Sequence, residues 1–134
     1  MTLTFPIVTA ACAAIIGLLA AFLTVRVILN RVRFKCDTGD GGHAALAQAI
    51  RAHGNLTEHA PLALLLIGFA EGLHAPLAAV YALGGALVLA RLASAWGLSH
   101  SLELGSSTRK SGAGLTVLVI VVSSLLILYT LATR

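Results

Sequence analysis

Gln48, Arg51, Asn55 and Glu58 follow one another at steps of three, four and three, so on a helix of about 3.6 residues per turn they form a single polar stripe. Their chemistry is complementary. An arginine offers a planar fork to a carboxylate, a glutamate accepts from an ammonium, and an asparagine both donates and accepts. The set suits a zwitterion. The stripe lies in a stretch that otherwise reads as membrane-buried, where a charged side chain near the bilayer centre costs about 2.5–3.5 kcal/mol on insertion scales, so such charges have partners, line a cavity, or both. Two readings follow from the pattern. The stripe is either a ligand site or interhelical glue, with Arg51 paired to Glu58 and Asn55 bridging between helices. The pattern alone selects no ligand.

The elements that carry this stripe are set by composition. Hydrophobic residues make up 58% of the 134 and charged ones 10%, with a mean hydropathy of +0.95, which places the chain in a membrane. Residues 5–25 and 113–133 are uncharged runs long enough to cross a hydrocarbon core of about 30 Å as helices. Two further apolar runs, 60–70 and 75–90, extend into spanning helices. The predicted fold is an all-α integral membrane bundle of four transmembrane helices, over residues 3–30, 44–71, 76–98 and 113–133. Helix 2, at about 42 Å, exceeds the hydrocarbon thickness and should protrude at its start. Pro61 falls inside it and predicts a kink, whereas Pro76 stands in the first turn of helix 3, where a missing donor is harmless. Small residues at Ala10, Ala14 and Gly17, and at Ala78, Ala82, Gly85, Ala86 and Ala90, favour close helix approach.

Basic residues set the expected orientation, because cytoplasmic loops retain Lys and Arg. Arg26, Arg31, Arg33 and Lys35 flank the first link, Arg91, Arg109 and Lys110 the third, and none the second. Both termini should therefore face away from the cytoplasm, and the +4 net charge reflects topology. No basic and aromatic interleaving suggests nucleic-acid binding. Thr9-Ala10-Ala11-Cys12 loosely imitates a lipoprotein cleavage site, but no basic residue precedes Arg26 and the apolar run continues past Cys12, so cleavage is not expected. Cys12 and Cys36 lack zinc or CxxC spacing and read as ordinary thiols. His43, His74 and His100 read as solvated and no metal is expected. Tyr81 and Tyr129 read as packing residues. Arg91 reads as a snorkelling or structurally paired side chain. Asn55-Leu56-Thr57 matches a glycosylation sequon that a membrane helix cannot present.

The order Arg-Ala-x-x-Asn-x-x-Glu-x-x-Pro, here Arg51, Ala52, Asn55, Glu58 and Pro61, resembles the second helix of the MAPEG family, the membrane-associated proteins in eicosanoid and glutathione metabolism. Length, four spans and orientation are similar as well. The segment from Leu89 through Arg91 and Trp96 to Ser99, followed by Arg109-x-x-Gly112, looks most like the bacterial inner-membrane branch. The resemblance implies a homotrimer in that membrane, with glutathione as co-substrate bound between helices 1 and 2 of adjoining subunits and open to the cytoplasm. It implies that Arg51, Asn55 and Glu58 hold the γ-glutamyl end and backbone, and that Arg31 meets the glycine carboxylate. His53 stands where relatives often have glutamine, and His59 replaces a tyrosine that often follows the motif glutamate; both are carried as binding candidates.

The implied activity is that of a glutathione transferase or peroxidase acting on lipophilic electrophiles or hydroperoxides. A free thiol with a pKa of about 8.5 is mostly protonated at neutral pH, and bringing it to about 6.5 corresponds to about 2.7 kcal/mol of differential stabilisation, within reach of one arginine in a partly dry pocket. Relatives place that arginine near the start of helix 4. Here Gly105 falls near its position, which leaves Arg109 as the catalytic candidate, and Ser94 and Leu98 stand where relatives have tyrosines that contact glutathione. These departures support an alternative: a non-catalytic trimer that binds glutathione, a lipid head group or a small anion in the same groove.

Overall fold

A computed structural model describes the backbone of residues 5–100 and 107–133, and the side chains within those ranges apart from 98–100 and 107–110. Four α-helices follow in order: α1 (Ile7–Phe34), α2 (Ala44–Gly72), α3 (Leu77–His100) and α4 (Ser107–Ala132). Three of them, α1, α3 and α4, are long and apolar enough to cross a membrane by length and composition. The expectation of four spans meets its exception in α2. At 29 residues, about 43 Å, it has the length, but Arg51, Asn55, Glu58 and its histidines dilute its hydropathy. Pro61 stands inside α2, which continues through it as one helix.

Two helix ends lie a full turn or more beyond the expected bounds. α1 runs to Phe34 because its close is a turn rather than the first basic residue: Lys35 adopts a left-handed conformation at φ 50°, and the Cys36 N–H reaches back to the Arg31 carbonyl at 3.1 Å. Arg31 then fastens the loop that follows. Its Nη1 donates to the carbonyls of Cys36, Asp37 and Gly39 at 3.1, 2.9 and 3.2 Å, while His43 stacks on Phe34 with ring centroids 4.2 Å apart. The loop thereby brings α2 back beside α1. α4 begins at Ser107, earlier than the expected 113, so its basic start is already helical.

The tight α2–α3 turn has a related design. His74 takes the left-handed position at φ 59°, Ala75 N–H bonds to the Ala70 carbonyl and His74 N–H to that of Glu71, and Pro76 prevents continuation. Glu71 serves a second helix too. Its Oε1 accepts from the Val8 N–H at 2.8 Å, and its Oε2 from the Thr9 N–H and hydroxyl at 2.8 and 2.7 Å, which satisfies the open N-terminus of α1 from across the bundle.

α2 and α3 each pack against all the other helices, whereas α1 and α4 do not meet among the described residues. The buried stripe of α2 explains its central place. Leu46, Ala49, Ala52, Leu56, Ala60, Ala63, Ile67 and Ala70 recur at three and four residues, and the alanines let the neighbouring backbones come near. The polar residues Arg51 and Asn55 each precede a member of this stripe by one residue, about 100° around the helix. The packed face and the polar face therefore adjoin without overlapping. Most large side chains on the outside of α1, α3 and α4 are apolar and exposed, the outer surface expected of a bundle in lipid.

Candidate functional site

Arg51, Asn55 and Glu58 lie together on α2 and, with Ile50 and Gly54, line a polar cleft of about 150 Å³. Gly54 keeps its floor low: a Cβ there would stand 3.8 Å from Glu58 Oε1, so the carboxylate turns back over the glycine. Arg51 and Glu58 are both exposed, and among the described residues neither has a hydrogen-bond or ion-pair partner. The glue arrangement in which Arg51 pairs with Glu58 is thus not formed within the chain. Gln48 continues the stripe but is half-buried and does not line the cleft.

Asn55 is held from behind. Arg91 on α3 is 1% exposed, and its Nη1 donates to the backbone carbonyl and to Oδ1 of Asn55, both at 3.2 Å. Its Nη2 donates to the Gly112 carbonyl at 3.2 Å, to the Thr116 hydroxyl, and to Ser94 Oγ at 3.5 Å. The Thr116 hydroxyl passes its own proton to the Gly112 carbonyl at 2.9 Å. One guanidinium therefore ties α2, α3 and α4 together. Of the two readings of Arg91, structural pairing is the one formed: the side chain turns inward, away from lipid phosphates. The signal available in the sequence was Gly112 and Thr116, one turn apart on α4, a gap and a hydroxyl facing a single point. Gly112 is needed there, because a Cβ would stand 2.8 Å from the Ala90 carbonyl and also collide with Ser94.

A family model describing the MAPEG family matches residues 9–129, which is nearly the whole chain and includes all of these residues. The chain belongs to the MAPEG family. Two curated relatives, both named inner membrane protein YecN, come from Escherichia coli strain K12 and Escherichia coli O6:H1 strain CFT073. Each is 31% identical over 116 residues, covering 84% of this chain and 88% of the relative. The protein is accordingly an integral membrane member of the MAPEG family, and its relatives are inner-membrane proteins.

The other candidates of this MAPEG chain are placed apart from the cleft lining. Arg31 is engaged with the three loop carbonyls described above. His53 is half-buried and outside the cleft lining, as its position two residues from both Arg51 and Asn55 requires of a helix. His59 Nδ1 lies 3.2 Å from the Asn55 carbonyl, which can only accept, so that nitrogen is the donor. Arg109 falls in the first turn of α4, with its side chain outside the described residues. Leu98 also lies outside the described side chains, and Gly105 outside the described residues. Ser94 is 3% exposed and turned to Arg91. No group of three or more potential metal ligands occurs among the described residues.

Proposed function

We propose that this MAPEG protein is a glutathione-dependent membrane transferase or peroxidase that acts on lipophilic electrophiles or hydroperoxides from the cytoplasmic side of a bacterial inner membrane. The observation that carries the reading is the cleft itself, where an arginine, an amide and a carboxylate stand side by side with both charges unpartnered among the described residues. Unpaired charges on a membrane helix are costly, and a ligand bearing carboxylates and an ammonium supplies what each lacks. The volume supports a shared site. At about 150 Å³ the cleft is smaller than the roughly 300–1,000 Å³ of ordinary ligand pockets, which supports a site shared with a second subunit of a homotrimer. In this assignment Arg51, Asn55 and Glu58 hold the charged γ-glutamyl end.

Bound glutathione supplies the nucleophilic sulfur. The chain's part is to fix the tripeptide and to set a cation beside the thiol, for which Arg109 at the start of α4 is assigned. The helical N-terminus adds its own positive potential there. The lipid around α1, α3 and α4 supplies the lipophilic partner. The test is turnover of a chlorinated nitroarene or a fatty-acid hydroperoxide as glutathione is varied. Arg51→Ala and Arg109→Ala are each expected to lower kcat/KM at least tenfold, and unchanged activity in both removes the mechanism.

A second reading has an observation of its own. Ser94, which stands where relatives carry a glutathione-contacting tyrosine, is buried against Arg91 and presents no hydroxyl to the cleft. This favours a trimer that binds glutathione, a lipid head group or a small anion without catalysis. Calorimetric titration of the detergent-solubilised protein separates the two: binding without turnover selects the second, and absence of binding rejects the glutathione site.

A further inference from the structure

Arg91 is the most deeply buried charge described, and all of its acceptors are neutral: two oxygens of Asn55, the Ser94 and Thr116 hydroxyls, and the Gly112 carbonyl. What it does locally is fix an orientation. A guanidinium only donates, so the Asn55 atom facing it must be the amide oxygen. The amide nitrogen then points the other way. Among the described residues Asn55 Nδ2 has no acceptor, and Asn55 lines the cleft.

We infer that Arg91 is a positioning residue that locks the Asn55 side chain with its Nδ2 donors turned into the cleft, so that the site presents a preset donor surface for an anionic group of the ligand. Two physical effects act together. The lock removes the amide flip that an unconstrained asparagine would undergo, so no ordering cost falls on binding. Withdrawal of electron density by the guanidinium at Oδ1 also polarises the amide and makes its N–H groups stronger hydrogen-bond donors. The cleft thereby gains positive character from a charge that never touches the ligand, while Arg51 supplies direct contact and Glu58 receives the ligand's ammonium. The ligand group at Asn55 is a carboxylate or another anion, and the site rejects a neutral acceptor of the same shape less strongly bound by these donors.

The inference rests on the glutathione reading, and its test is arranged so that the two fail differently. Glutathione is titrated into detergent-solubilised wild type, Arg91→Lys, Asn55→Ala and the double variant. Because Lys has no fork, Arg91→Lys is expected to weaken binding about tenfold, Asn55→Ala by a similar factor, and the double variant no more than the weaker single. Losses that multiply in the double variant, or wild-type affinity in Arg91→Lys, overturn the positioning role while leaving glutathione binding intact. Absence of binding to the wild type overturns the glutathione reading and this inference with it. Should Arg91→Lys not fold, Asn55→Asp replaces it, since the carboxylate keeps the bond to Arg91 but turns an oxygen into the cleft. A loss of tenfold or more in a folded Asn55→Asp protein supports the inference, and unchanged affinity overturns it.

Discussion

Gly112 and Gly114 lie two residues apart on α4 and offer a controlled comparison of how closely α3 and α4 must approach. A Cβ at Gly112 would stand 2.8 Å from the Ala90 carbonyl and 3.1 Å from the Ser94 N–H nitrogen, both backbone atoms, whereas a Cβ at Gly114 meets nothing within 4 Å. Replacing either glycine by alanine gains about 0.8–1 kcal/mol of helix propensity, so that contribution cancels between the variants. The steric cost does not cancel. Overpacking by one methyl costs about 1–3 kcal/mol, and backbone cannot rotate aside as a side chain can, which puts Gly112→Ala near the upper end. Separating the helices also stretches the bond from Arg91 to the Gly112 carbonyl, worth about a further 1 kcal/mol or more. Gly112→Ala should therefore be less stable than Gly114→Ala by about 4 kcal/mol, with the wild type between them. Thermal unfolding of the detergent-solubilised protein, followed by circular dichroism, reads this as a drop of several degrees in Tm. A Gly112→Ala protein as stable as Gly114→Ala refutes both the close crossing and the Arg91 hub built upon it.

Arg51→Ala and Glu58→Gln should leave the subunit's unfolding midpoint within about 0.5 kcal/mol of wild type while lowering glutathione affinity at least tenfold, since neither side chain has an intrachain partner among the described residues. Equal losses of stability and affinity would return the stripe to a structural role. Glu71→Gln keeps one acceptor oxygen for three donors and removes the charge opposing the α1 dipole, so it should cost about 1–2 kcal/mol in thermal unfolding and speed amide hydrogen exchange at Val8 and Thr9. Exchange at wild-type rates would show that α1 is anchored by its apolar packing alone.

The positions of the four helices were readable because long apolar runs and Pro–Gly punctuation are local signals. The polar stripe was readable for the same reason, since Arg51, Asn55 and Glu58 share one helix and need only the 3.6 period to be brought together. Features that join distant segments left no such trace. Glu71 stands in the sequence only as the last residue of the predicted second helix, yet it caps α1 about sixty residues earlier in the chain. Arg91 was compatible with lipid phosphates or with a partner, and only the placement of Gly112 and Thr116 opposite it decides between them. The loop carbonyls that engage Arg31 are backbone groups, to which side-chain identity gives no clue.

The hundred-degree offset between the alanine ridge and the charged flank of α2 has an evolutionary corollary. On the glutathione reading, exchanging Arg51 or Glu58, which have no partner among the described residues, alters which molecules are welcomed without obliging any neighbouring helix to move, whereas an extra methyl on the ridge presses on the helix packed against it. A lineage built on this scaffold is thus free to drift among ligands, or to abandon turnover altogether, while its architecture stays the same.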